Sequence, residues 1–308
     1  MSNVHDVGGT QLDSISAALT ADDVVDGDGD VLTRSLGWAF WLAIGWLVFI
    51  VAAAVLAPWL PLKDPDANYI NPDLGRPPYS PSSTHWFGTD QDARDVFSRT
   101  IHGARVSLTV GFVAIASGMI IGGTLGTIAG YFRGTFDRVI SFLFLVLLSF
   151  PALVLAILIT SLLDRGLLTI SATLGFLAIA PVGRLARATT IQYAEREFVL
   201  AARTLGARHP RIIIRELLPN VVIPMGALAL LGMAIAIVAE GGLAFLGLSV
   251  EKEETWGKLI LLGSGSRDLE NAPWISMGPI FVLFLTVLAL NYAGDKLRAH
   301  FDVKEIAL

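Results

Sequence analysis

Six long apolar stretches dominate the chain, and polar segments separate them. A helix needs about 20 apolar residues to cross the hydrocarbon of a bilayer, and the stretches are close to or above that length. They predict an all-α polytopic membrane protein with six transmembrane helices. The stretches lie near residues 37–60, 106–131, 139–162, 167–187, 220–247 and 277–294.

The second stretch has a small residue at every fourth position. This spacing lets the backbone of another helix approach closely inside a membrane. From the sequence, that helix belongs either to the same subunit or to a second one. The last four stretches each contain a proline, which predicts kinks that neighbouring helices must accommodate. The small residues are Ala114, Gly118, Gly122, Gly126 and Gly130, and the prolines are Pro151, Pro181, Pro224 and Pro279.

Composition agrees with a membrane protein and excludes several kinds of chemistry. The chain is 54% hydrophobic and 16% charged, whereas soluble domains are about a quarter charged. It has no cysteine, which excludes disulfides, thiolate catalysis and cysteine metal sites. The net charge is −5, and the arginines are not spread as a nucleic-acid-binding face requires. We therefore expect no nucleic-acid partner.

The two ends of the chain and its basic residues predict an orientation. Residues 1–36 are acidic and lack the basic start and early apolar run of a signal peptide. They are predicted to be a disordered tail, followed by the first span at 37–60. Seven arginines between Arg184 and Arg215 follow the fourth span. Because basic loops stay in the cytoplasm, we expect both termini there, with residues 301–308 as the second cytoplasmic tail.

An external segment is predicted at residues 61–104. Its first part is rich in Pro, Asn, Asp and Ser, as irregular linkers are. A short helix at the membrane surface is predicted next, with Thr89 as N-cap and Asp92 three positions later. An Asp95–Arg99 pair at i,i+4 supports that helix. Several histidines and aspartates nearby fit no established metal spacing, so we predict no metal site.

Catalysis by this chain is not expected. It has no G-x-x-x-x-G-K-[ST] phosphate loop, no H-E-x-x-H and no nucleophile elbow, so no catalytic or cofactor-binding residues are predicted. Glu240 is the one carboxylate well inside an apolar stretch, and an ionisable residue there is a candidate for function. It is interpreted either as a local structural group at the outer end of span five or as part of a transport pathway.

The arginine-rich loop between spans four and five is predicted to be a helix–turn–helix. Phe198, Ala201, Ala202 and Leu205 form an apolar stripe at helical spacing. Gly206 suits the left-handed position that ends a helix, and Pro210 suits the start of a second short helix. Such a hairpin either lies on anionic lipid or docks into a cleft of a soluble partner, with its arginines steering the approach.

Several motifs resemble the permeases of ABC importers. Ala201-Ala202, Gly206 and Leu218-Pro219 are spaced like the EAA loop of these permeases, with Leu200 where many have Glu. HWFGTDQDARDVFSRTIHGARVSL, at residues 85–108, resembles the outer motif of the dipeptide/oligopeptide/nickel branch, although Ala93 replaces the usual Gly. EGGLAFLGLSV, TWGKLI, NAPW and FLTVLALNYAGDKLR are similar to that branch too, while EKEE before Thr255 departs from its Pro-rich stretch. The resemblance covers residues 38–304 and is to the C-type subunit.

This resemblance implies a fold, partners and site residues. It implies the type I ABC importer permease fold, with a five-helix core at 105–300, in a bacterial plasma (inner) membrane. The implied function is import of peptides together with a second permease, two cytoplasmic ATPases and an extracytoplasmic solute-binding protein. Residues 188–219 would be the coupling loop, with a coupling helix near 202–210. The coupling-loop residues are Ala201, Ala202, Arg203, Gly206, Ala207, Arg208, His209, Pro210, Leu218 and Pro219; the outer-motif residues are Gly88, Thr89, Asp90, Arg94, Asp95, Ser98 and Arg99.

Other functions stay open at this point. An ion-coupled carrier or channel acting alone would place Glu240 in its pathway, but charge within the spans is sparse. A purely scaffolding subunit is a third interpretation. Within the resembling family, the cargo could equally be a nickel chelate or another small solute.

Overall fold

The computed structural model describes residues 37–306, with side chains described as far as residue 300. The predicted tail at 1–36 lies outside the described residues. Within the described part the chain is helical and forms no strand. Its helices are α1 (Gly37–Leu56), α2 (Val96–Phe132), α3 (Gly134–Ser149), α4 (Ala152–Leu162), α5 (Leu167–Ala194), α6 (Glu197–Thr204), α7 (His209–Phe245), α8 (Trp256–Leu262), α9 (Ser266–Asn271) and α10 (Trp274–Ile306).

Five of these helices, α1, α2, α5, α7 and α10, are long and apolar enough to cross a membrane. Helices α3 and α4 pass the same test together, but they are bent by 83° relative to each other. The bend lies at Pro151, and Phe150 before it is extended, as the ring of a following proline requires. The prediction of an all-α membrane protein is thus confirmed, with five spans or six if the bent pair counts as one.

Helix α2 begins earlier than predicted, and the expected separate surface helix is wrong. The helix runs without interruption from Val96, and its N-cap is Asp95, whose carboxylate accepts a hydrogen bond from Ser98 N–H at 2.7 Å. Thr89 does not cap it, because its hydroxyl accepts the N–H of Tyr79 at 2.8 Å. Ala93 has a φ of 60°, and this left-handed residue separates Thr89 from the helix.

The small-residue stripe of α2 packs against α5 of the same chain. A Cβ atom added at Gly122 would overlap the carbonyl oxygen of Ile179, and one at Gly126 would overlap that of Gly183. The two backbones are therefore in contact along this face, which only glycine permits. The structure decides in favour of packing inside the subunit.

Helix α7 packs against α2, α5 and α10, and α2 is the most buried of the long apolar helices. Helix α1 packs against α2 and α10 from outside, and only 17% of its apolar window is buried. The rest of α1 presents large apolar side chains to the surroundings, as expected for a span that faces lipid. The short helix α8 covers one end of the bundle through the fully buried Trp256, whose indole N–H donates to the carbonyl oxygen of Thr100 at 3.0 Å.

Candidate functional sites

The hairpin, defined here as residues 195–211, connects α5 to α7. Helix α6 ends at Thr204, and Gly206 follows with a φ of 76°, the left-handed turn that the sequence predicts. The expected second short helix is not separate, because the helix that begins at His209 continues to Phe245. Pro219 does not break it: the preceding turn, Ile212–Leu217, is widened, and Leu218 N–H bonds to the carbonyl oxygen five residues back.

A buried cluster fixes the base of the hairpin. Val199 of α6 is fully buried against Ile212 and Leu217 of α7 and Tyr131 of α2. The Tyr131 hydroxyl lies 2.8 Å from Nδ1 of His209, and the guanidinium of Arg203 lies 5.2 Å from the centre of the Tyr131 ring. These contacts join the hairpin to the end of α2. No role for Tyr131 is predicted from the sequence. The signal that could have indicated it is the aromatic pair Tyr131-Phe132, which follows Gly130 at the end of an apolar stretch.

The outer face of the hairpin is apolar and cationic at once. Leu205 is 87% exposed and Phe198 39%. Of the predicted coupling-loop residues, only Ala202 and Ala207 are partly buried against the base; the exposed ones on the hairpin are Ala201, Arg203, Gly206, Arg208, His209 and Pro210. Leu218 and Pro219 lie apart from these, about two and a half turns into α7. The structure therefore brings together all the predicted residues except this last pair.

A second site lies at the start of α2, where the outer motif forms a charged cluster. The buried guanidinium of Arg99 pairs with the buried carboxylate of Asp90 and lies 2.9 Å from Glu254. The predicted Asp95–Arg99 pair is wrong. As N-cap, Asp95 is held over the first turn by Ser98 N–H, and its other oxygen lies 2.7 Å from Nδ1 of His85. Because the Asp95 carboxylate caps the first N–H groups of the helix, it cannot also contact Arg99, which lies one turn further along.

Other residues of the outer motif hold the surrounding loop. Gly88 has a φ of 68°, and a Cβ atom there would lie 2.6 Å from the carbonyl oxygen of Tyr79. The carbonyl oxygen of Thr89 accepts the indole N–H of Trp274 at 3.2 Å, which ties the loop to α10. Arg94 is the peripheral member, 3.4 Å from the carboxylate of Asp92. Within residues 37–300, the histidine and acidic side chains form no group of three that could hold a metal ion.

Glu240 lies near the end of α7, and 1% of its surface is exposed. The hydroxyl of Ser249 donates a hydrogen bond to Oε1, and Oε2 has no hydrogen-bond partner within the described residues. A Cβ atom on Gly257 would lie 2.6 Å from Cα of Gly241 and 2.9 Å from Cβ of Ala244, so the glycine of α8 is what lets this helix approach the end of α7 next to Glu240. Glu240 thus links the end of α7 to the segment that leads into α8.

Comparison with known proteins adds to this geometry. Residues 122–305 match the family described as binding-protein-dependent transport system inner membrane component. The chain belongs to this family. Like its relatives, it is a permease component of a bacterial ABC transporter in the inner membrane.

Two similar permeases are named for the cargo that they transport, a dipeptide in one case and glutathione in the other. This permease is 38% identical over 265 residues to the dipeptide transport system permease protein DppC of Alkalihalophilus pseudofirmus, covering 85% of this chain and 86% of the relative. It is 34% identical over 259 residues to the glutathione transport system permease protein GsiD of Pectobacterium atrosepticum, covering 84% of each. It is therefore an ABC importer permease of the dipeptide/glutathione type.

The fold also matches a solved importer. An inward-facing crystal form of the MetNI methionine ABC transporter aligns with a TM-score of 0.53 and 17% identity, covering 66% of this permease and 97% of that chain. The type I importer permease fold is thereby confirmed.

Proposed function

We propose that this permease takes up peptides in an ATP-driven importer, together with a second permease, two ABC ATPases and an extracytoplasmic solute-binding protein. The observation that carries the peptide assignment is the 38% identity to a dipeptide permease across 85% of the chain. ATP hydrolysis is assigned to the ATPases, because this chain has no phosphate loop.

The hairpin is the element proposed to couple ATP hydrolysis to transport. Leu205 and Phe198 expose apolar surface, and burial in a partner's cleft would remove that surface from water. Arg203 and Arg208 flank it and would steer the hairpin toward an acidic cleft. The rigid base around Val199 would convert movement of an ATPase into movement of the spans.

The proposed orientation has both termini and the hairpin in the cytoplasm. Two observations support it: the seven arginines between Arg184 and Arg215 adjoin the hairpin, and counting α3 and α4 as one broken span gives an even number of crossings. The cluster around Arg99 then lies outside, on the side from which a binding protein delivers cargo.

Gly206→Pro tests the coupling assignment. Proline requires a φ near −65°, whereas Gly206 has 76° and donates its N–H to the carbonyl oxygen of Arg203 at 3.0 Å. We expect the variant to insert and assemble, but to hydrolyse ATP without dipeptide uptake in proteoliposomes that contain the full importer. Gly75→Pro is the matched control, since Gly75 has a φ of 77° and is equally open in space but lies in the external linker. If co-purification with the ATPases and dipeptide uptake are both unchanged in Gly206→Pro, the hairpin does not couple.

Glutathione is the second candidate cargo, because a glutathione permease is 34% identical to this chain. Labelled dipeptide and labelled glutathione offered to the same proteoliposomes distinguish the two. Transport by this chain alone, without ATPases, would instead support a carrier or channel.

A further inference from the structure

A groove with a volume of about 350 Å³ lies between α3 and α5, and the proposed coupling does not use it. Its walls are Ser141 and Leu145 of α3, and Arg184, Arg187 and Ala188 of α5. Arginine is costly in the hydrocarbon of a membrane. The presence of two arginines on a wall between two spans therefore needs an explanation.

Only one of these arginines is neutralised by the protein. Arg187 forms a two-pronged pair with Asp137 of α3, in which Nη2 donates to Oδ2 at 2.7 Å. Arg184 is exposed and forms no ion pair among the described residues. Arg138, three residues before Ser141 on α3, is also exposed, and its Nη2 donates to the Thr135 hydroxyl at 3.0 Å rather than to a carboxylate. Arg184 and Arg187 thus line the groove, and Arg138 lies one turn before Ser141 on the same helix. Asp137 neutralises one of these three guanidinium groups, which leaves an excess positive charge.

The position of these charges along the helices indicates the depth of the site. Helix α5 has 28 residues and is about 42 Å long, whereas the hydrocarbon core is about 30 Å thick. Arg184 and Arg187 lie toward the end of α5, and Asp137 and Arg138 lie in the first turns of α3. Arg187 is about 10 Å and Arg184 about 15 Å from the end of α5, and Asp137 and Arg138 are within about 6 Å of the start of α3. With the excess of about 12 Å of α5 over the hydrocarbon at this end, Arg187 is at headgroup depth. Arg184 is then about 3 Å deeper, a distance that its long side chain can span to reach the headgroups.

The groove also has an apolar side. Leu145 is exposed, and so is Leu148 one turn further along α3. A cationic end at headgroup depth with apolar surface beyond it matches the arrangement of charge and hydrocarbon in a phospholipid. Basic pockets between spans on the cytoplasmic side are known to bind anionic headgroups.

We propose that this groove binds one anionic phospholipid. Its phosphate would accept hydrogen bonds from Arg184 and Arg138, and an acyl chain would lie along Leu145. The Ser141 hydroxyl donates to Oδ1 of Asp137 at 3.2 Å and so helps to hold that carboxylate. Asp137 neutralises Arg187 within the wall of the groove, which leaves Arg184 as the unpaired cation there among the described residues. A free phosphate ion offers the same anionic group but no hydrocarbon, so the apolar wall favours the lipid.

The test uses the full chain purified in a mild detergent. Native mass spectrometry counts retained lipid after exchange into mixed micelles that contain phosphatidylglycerol or phosphatidylcholine. We expect Arg184→Gln to bind phosphatidylglycerol about tenfold more weakly, the scale of losing a hydrogen bond to a charged group. Arg184→Lys should restore part of the affinity, because it keeps the charge but not the fork of donors. Arg215→Gln is the matched control, since Arg215 is an exposed helical arginine outside the groove.

Each other outcome overturns the proposal. Equal retention by wild type and Arg184→Gln means that no lipid is held there. Equal loss in Arg215→Gln means that the attraction is general and not specific to the groove. Displacement of the lipid by inorganic phosphate at the same concentration means a free-anion site. If Arg184→Gln instead lowers co-purification of a second permease with lipid retention unchanged, the groove is a subunit interface.

Discussion

Gly126→Ala tests the packing of α2 against α5, on which the rest of the core depends. A Cβ atom at position 126 would overlap the carbonyl oxygen of Gly183 and lie 3.0 Å from Cβ of Ala186. Neither obstacle can rotate away, because one is backbone and the other is the first side-chain atom, so the helices must separate. Overpacking of this kind costs about 1–3 kcal/mol, and the better helix propensity of alanine returns at most about 1 kcal/mol. Because the overlap is with backbone, the cost lies at the upper end of that range, and we expect a net destabilisation of about 2 kcal/mol.

The measurement is unfolding of the purified chain in mixed detergent micelles, followed by circular dichroism as the denaturing detergent increases. Gly45→Ala is the matched control, because Gly45 lies within α1 and an added Cβ would meet no atom within 4 Å. That variant should be as stable as wild type or slightly more stable. If Gly126→Ala and Gly45→Ala behave alike, α2 and α5 are not in backbone contact. Loss of a second permease from Gly126→Ala at unchanged stability would assign the glycine face to the subunit interface.

Two further predictions concern Glu240 and the orientation. Ser249→Ala should destabilise the chain by about 1–3 kcal/mol, since it removes the hydroxyl that donates to the buried Glu240 carboxylate. Glu240→Gln keeps an acceptor for Ser249, so it should stay stable and keep dipeptide uptake; loss of uptake at normal stability would place Glu240 in the pathway. For orientation, the chain has no cysteine, and Leu74 and Leu205 are both exposed. A membrane-impermeant maleimide should label Leu74→Cys in intact cells and Leu205→Cys only after permeabilisation, and the reverse pattern would refute the proposed orientation.

Local chemistry allowed some features to be predicted from the sequence. Gly206 is one, because a helix that ends in a sharp turn needs a left-handed residue and glycine supplies it without strain. The close approach of another helix to α2 is a second, since small residues four apart leave no side chain between backbones. The small-residue pattern does not show which helix packs against α2. That α5 is the partner of α2 depends on packing between residues distant in the chain.

Two predictions near residue 95 are wrong, the Thr89 cap and the Asp95–Arg99 pair, because neighbouring side chains compete for the same hydrogen-bond partners. From the sequence, Thr89 is predicted to be the cap and Asp95 to form an ion pair, whereas Asp95 is the cap in the structure. The left-handed backbone at Ala93 decides between them, and a non-glycine residue is uncommon in that conformation. The same turn explains why Arg99 pairs with Asp90. Asp90 accepts the N–H groups of Asp92 and Arg94 at 2.9 and 2.8 Å, which folds its second oxygen back toward Arg99.

Tertiary contacts also determine which side of α6 is buried. Periodicity identifies a stripe that includes Phe198 and Leu205, and such a stripe is ordinarily the core side of a helix. The structure buries Val199 instead, because Tyr131 of α2 and Ile212 of α7 enclose that position. Phe198, Ala201 and Leu205 of the stripe are left exposed on the hairpin, whereas Ala202 is partly buried. An apolar stripe facing away from the core favours a docking surface over a folded-core role.

The same contacts indicate which spans a moving hairpin would displace first. Helix α6 packs against the end of α5 and the widened turn Ile212–Leu217 of α7, and Tyr131 joins it to α2. Because the glycine face locks α2 to α5, these two helices would move as one body. Helix α2 has its own widened turn at Gly118–Gly122, and residues at the two widened turns line one shared groove. Widened turns are irregular in hydrogen bonding and are common at functional sites. A push on the hairpin would therefore be absorbed by bending between the half of the bundle that carries the hairpin and the opposite half.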